Sequence, residues 1–105
     1  MAQRLTKDNF ESTISSLQNL VLVDFYSDTC IPCKRLNPIL SQIEEELNGD
    51  ISVFKVNTNF DVEIAEKYDV LSTPTLVLFE NGVELDKKSG FQPKEVILDW
   101  ISENK

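Results

Sequence analysis

The chain has 105 residues, 41% of them hydrophobic and 27% charged, with 3 Gly and 4 Pro, enough for one hydrophobic core, too short for two and too apolar for disorder. Eighteen acidic against ten basic residues leave a net charge of −8, which makes nucleic acid and anionic membrane poor partners. Met1-Ala2-Gln3-Arg4-Leu5 lacks the apolar stretch of a secretory leader and no later run could span a bilayer, so the expected setting is the cytoplasm and the expected unit one domain over 1–105.

From Thr6 to Gln18, apolar Phe10, Ile14 and Leu17 recur at spacings of four and three, which predicts an amphipathic helix starting at Thr6. Leu20 to Tyr26 is a short apolar run with β-branched members, suited to a central strand buried on both faces. Cys30-Ile31-Pro32-Cys33 follows, and it holds both cysteines of the chain. Leu36, Ile39, Leu40, Ile43 and Leu47 then mark one face of a helix over Lys34–Leu47, with Asn48-Gly49 as its stop and Pro38 inside it, where a bend is expected.

Ile51 to Asn57 reads as a second buried strand, and Asp61 as the cap of a short helix through Glu63, Ile64, Ala65 and Tyr68. Thr75–Phe79 and Val83–Lys88 flank Glu80-Asn81-Gly82, a hairpin signal because Asn-Gly tolerates the positive φ of a tight turn. Pro93 opens a last helix, with Val96, Ile97, Trp100 and Ile101 on its buried side. Trp100, Phe25, Phe54 and Phe79 are read as core.

Two cysteines two residues apart, where a strand pattern gives way to a helix pattern, point to redox chemistry. A helix beginning at Cys30 aims free N–H groups and the positive end of its dipole at that sulfur, favouring thiolate. Cys30 is therefore the expected nucleophile. A static disulfide is disfavoured in a reducing cytosol. A four-coordinate metal would need more ligands than one Cys pair in a chain with no His, so a metal or iron–sulfur cluster would require carboxylates or a second chain. No cofactor is expected.

Asp24 interrupts an apolar strand, which is costly unless the carboxyl is neutral, paired or wet. With both sheet faces covered, desolvation would raise its pKa and let it take a proton from Cys33; the plain alternative is an outward-facing residue. Lys55 interrupts Val53–Val56 in the same way and could reach Asp24 from the neighbouring strand, or else snorkel at a sheet edge. Pro74 follows Thr73 just before a strand, and X–Pro bonds in folded proteins are mostly trans.

The order of elements, with Cys-x-x-Cys at a strand-to-helix junction and Thr73-Pro74 before the hairpin, resembles the thioredoxin family along almost the whole chain. The matching residues are Asp24, Cys30, Pro32, Cys33, Lys34, Pro38, Lys55, Thr73, Pro74, Gly82 and Gly90. The resemblance implies an α/β thioredoxin fold: a mixed four- or five-stranded sheet, helices on both faces, and a C-terminal hairpin plus helix. It implies reduction of disulfides in protein substrates, a thioredoxin reductase as electron donor, a monomer, and a cis Thr73–Pro74 bond.

Cys33 would then resolve the mixed disulfide with Asp24 as proton acceptor, while Thr29, Ile31, Pro32, Thr73, Pro74 and Gly90 meet the substrate. Where the family usually reads Trp-Cys-Gly-Pro-Cys, this chain has Thr29 and Ile31, and Tyr26 stands where Trp is common. Those departures motivate the alternative of an interaction module or redox switch with little turnover.

Overall fold

The computed structural model describes residues 2–105. Its elements are β1 (Gln3–Arg4), α1 (Phe10–Ser16), β2 (Leu20–Tyr26), α2 (Ile31–Glu46), β3 (Ile51–Asn57), α3 (Val62–Lys67), β4 (Thr75–Glu80), β5 (Val83–Ser89) and α4 (Lys94–Glu103). They form a five-stranded sheet in the order β1-β3-β2-β4-β5. β1, β3 and β2 run parallel, β4 pairs antiparallel with β2, and β5 pairs antiparallel with β4. This is the mixed sheet of the thioredoxin fold.

Side chains alternate across the central strands, so each strand feeds two cores. Val21, Val23, Phe25, Phe54, Val56, Val77 and Phe79 pack with Phe10 and Ile14 of α1 and Ile64 of α3. Leu20, Leu22, Val53, Leu76 and Leu78 pack on the opposite face with Leu36, Leu40 and Ile43 of α2 and Ile97, Trp100 and Ile101 of α4. The hairpin turns through Asn81 and Gly82, both at positive φ, with Glu80 opposite Val83. Gly82 also lies against α1: a Cβ there would stand 3.0 Å from Ser15 Cβ.

Several local expectations are corrected. β1 was not anticipated, because two exposed residues carry no apolar alternation. α1 begins at Phe10, not Thr6, although Phe10 N–H already donates to Thr6 O; the Asn9 side chain turns back to accept from Thr6 N–H at 2.8 Å. Asp61 occupies the N-cap of α3 without capping it, since its carboxylate accepts from Lys7 N–H at 3.1 Å. Pro93 is the N-cap of α4, one position before its first turn. Val96 faces solvent.

Candidate redox site

α2 starts at Ile31, three residues before Lys34 and five before Leu36, where the apolar pattern begins, because the segment after β2 supplies its own start signals. Pro32 presets a helical φ in the first turn, and Cys30 takes the N-cap. Cys30 Sγ accepts from Cys33 N–H at 3.1 Å, an N–H that the helix start leaves without a backbone partner, while Lys34 N–H donates to Cys30 O at 3.3 Å as the first bond of the helix. The helix then runs through Pro38 to Glu46.

Cys30 and Cys33 are joined in a disulfide with Cα atoms 5.2 Å apart. Cys30 is 9% exposed and Cys33 2%. Cys30 is thus the more accessible of the two, and Cys33 is almost wholly buried. Beside Cys30, Thr29, Ile31 and Pro32 are exposed, Ile31 to 69%.

Two neighbouring loops hold the segment before Cys30. Asp28 N–H donates to Asn59 Oδ1 at 2.8 Å, Asn57 Nδ2 to Asp28 Oδ1 at 2.9 Å, and Asn59 N–H to Asn57 Oδ1 at 2.9 Å. Thr58 N–H donates to Tyr26 O at 2.8 Å. On the other flank the Ser27 and Thr73 hydroxyls lie 3.1 Å apart. The Thr73–Pro74 peptide bond is cis, and Pro74 O accepts from Gly90 N–H at 2.8 Å, which ties the residue after β5 to the same end of the sheet. Gly90 has φ +87, a conformation L side chains rarely adopt.

The asparagine clamp was not read from the sequence. Its one local signal is Asn57-Thr58-Asn59 at a strand end, where the Asn57 side chain makes an Asx-turn; the partner Asp28 is distant in sequence.

Asp24 is 1% exposed, so the outward-facing alternative does not hold. It lies on the α2 face of β2, in register with Lys55 of β3 on one side and Leu76 of β4 on the other. Its Oδ1 is buried with no hydrogen-bond partner among the described residues. Burial pushes the carboxyl from 3.8 up to about 7, against the opposing pull of the Lys55 charge. Lys55 is not at a sheet edge, because β1 pairs beyond it through Arg4. Its ammonium stands 5.6 Å from the centre of the Tyr26 ring.

Asp24 and Lys55 line a small cavity of about 110 Å³ with Ala2, Asn37, Leu40 and Ser41. Three of these, Asn37, Leu40 and Ser41, share one face of α2, so the buried carboxyl sits beneath the helix that begins at the cysteines. Among the described residues no group of three or more His, Cys, Asp or Glu side chains could hold a metal ion. The arrangement offers a sulfur pair that can open and close, and a buried acid able to change protonation near neutral pH.

A thioredoxin family model matches residues 1–103. The chain is 39% identical to thioredoxin of Rickettsia felis over 104 residues, 99% of each chain. It is 38% identical to thioredoxin of Rickettsia bellii over the same span, and 36% identical to that of Staphylococcus saprophyticus over 101 residues, 96% of this chain and 95% of that one.

Proposed function

The chain belongs to the thioredoxin family, and from that premise we propose how its residues divide the work of a thiol–disulfide oxidoreductase. The protein is a disulfide reductase, with disulfide-bearing proteins as substrates and a reductase as partner. The observation that carries the division of labour is the Cys30–Cys33 pair at the start of α2, its outer sulfur hydrogen-bonded by the Cys33 N–H.

In the reduced protein, Cys30 thiolate attacks one sulfur of the substrate disulfide, forming a mixed disulfide and expelling the first substrate thiolate. Cys33 then gives its proton to the Asp24 carboxylate and attacks Cys30 Sγ, and the second substrate thiolate leaves. Two electrons have passed to the substrate, and the Cys30–Cys33 disulfide remains. Lys55 tunes how readily Asp24 holds the proton. Thr29, Ile31, Pro32, Thr73, Pro74 and Gly90 form the substrate face, on which an extended segment pairs with the backbone of Thr73 as an added strand would.

We assign regeneration of the dithiol to a thioredoxin reductase, a nicotinamide-linked flavoprotein being one such donor. The working form is a cytoplasmic monomer folded as one domain over 1–105, with no helix among the described residues long and apolar enough to cross a membrane. The test is reduction of a protein disulfide driven by dithiothreitol: Cys30→Ser should reduce the catalysed rate to background, and turnover that persists in that variant would remove Cys30 as nucleophile.

A further inference from the structure

We propose that the wall of the substrate face built by α2 selects segments in which the attacked cysteine is flanked by an aspartate or glutamate. This inference rests on the disulfide-reductase reading and concerns which disulfides the same site prefers.

Ile31 and Arg35 stand four residues apart on α2 and so lie on one line of the helix surface. Ile31, exposed to 69%, is one of the two exposed residues between the cysteines. The Arg35 guanidinium lies over the Phe91 ring, 4.8 Å from its centre. Phe91 follows Gly90, whose N–H is bonded to Pro74 O. A continuous wall therefore runs from Ile31 through Arg35 and Phe91 to the Pro74 loop. Lys34, exposed and bonded through its N–H to Cys30 O, adds a second cation beside it. Attraction to the ring face holds the guanidinium beside Phe91, and among the described residues no acceptor takes its N–H groups, which leaves them for a carboxylate.

The surroundings make this charge local. Asp28, the acid nearest in sequence to Cys30, keeps its charge but is tied to Asn57 at the end of β3, across β2 from the Pro74 loop. The acids of α2, Glu44, Glu45 and Glu46, are nine or more residues beyond Arg35, about 14 Å or more along the helix axis. That exceeds the screening length of about 8 Å at physiological salt. Two cations thus face an arriving segment although the chain as a whole carries −8. Apolar contact comes from Ile31 on this wall and from Leu71, 94% exposed and two residues before Thr73.

The test uses pre-reduced protein and symmetric peptide disulfides, two copies of one peptide joined through a single cysteine, with both flanking residues Asp, Asn or Lys. One protein dithiol and one peptide disulfide give the protein disulfide and two peptide thiols, so no other reductant is needed. At about 0.15 M salt the second-order rate should fall in the order Asp, Asn, Lys, with roughly a three- to tenfold span for two rim charges. Net charge alone would give the reverse order.

Arg35→Glu should flatten or invert that series, Arg35→Gln should narrow it, and Arg35→Lys should keep most of it. The ratio among peptides is read within each variant, so a general loss of activity does not enter it. Reduction of all three peptides at one rate, the reverse order, or an unchanged ratio in Arg35→Glu would overturn the inference and leave the reductase reading intact. If the unaltered protein reduces none of the three, the reductase reading itself fails.

Discussion

Asp24 and Phe25 are neighbours in β2 and point to opposite faces of the sheet. Phe25 enters the cluster under α1 and α3, where Val21, Val23, Val77 and Phe79 meet Phe10, Ile14 and Ile64. Asp24 enters the layer under α2, an otherwise apolar one that includes Leu20, Leu22, Leu36, Leu40, Leu76 and Leu78, with Lys55 beside it. Both side chains are almost fully buried. One position is chosen for packing, whereas the other holds a group whose burial costs stability whenever it is charged. The face that carries this cost is the one covered by the cysteine-bearing helix.

The largest effect on the apolar side should come from Phe25→Ala, which removes a fully buried ring and leaves a cavity, a loss of about 3–5 kcal/mol. Because no titrating group is involved, the loss should be the same at pH 5 and pH 8 by urea unfolding. A loss that varies with pH would mean that the two faces are coupled and would break the comparison.

Asp24→Asn should act in the opposite sense and only in one pH range. The carboxyl titrates at about 7 in the folded protein against 3.8 as the ordinary value. Between those values the folded state holds a proton that the unfolded chain has released, so parent stability falls as pH rises from about 4 to about 7 and is level beyond. The gap corresponds to about 4 kcal/mol. The variant should therefore match the parent near pH 4 and exceed it by up to that amount at pH 8. With its proton acceptor gone, release of the mixed disulfide at pH 7 should slow by roughly tenfold or more. Equal urea midpoints for parent and variant at pH 8 would show that Asp24 is not held in a costly charged state.

The two faces differ also in how far the sequence discloses them. The apolar run Leu20–Phe25, the Asn81-Gly82 turn and the Cys-x-x-Cys junction are local signals, and each lies where its pattern points. Asp24 announces itself by breaking such a run. What remains hidden depends on contacts between distant segments. The Asp24–Lys55 register is set by the pairing of β2 with β3. Asp61 gives its carboxylate to Lys7 rather than to its own helix. The clamp of Asn57 and Asn59 on Asp28 forms only when two strand ends meet. Likewise Arg35 reads as one more exposed cation until Phe91 is brought beneath it.

The smallest of these effects should come from Lys55→Gln, which tests whether the charged face works as a pair. The Lys55 charge opposes the rise in the Asp24 pKa, so removing it should carry the midpoint above 7, by about 1 pH unit for a single nearby charge. The sign follows from linkage: the window in which stability declines with pH then extends further upward, and ionised Asp24 becomes about 1.4 kcal/mol less favourable above it. The rate of mixed-disulfide release should show the same upward displacement of its rising limb, because the carboxylate that accepts the Cys33 proton is populated only above that midpoint. A lysine whose stem merely covers the Tyr26 ring would leave the profile in place and lower stability equally at all pH. Displacement of both profiles in Lys55→Gln, and absence of both in a Lys55→Arg variant that keeps the charge, would tie position 55 to the protonation of Asp24 rather than to packing.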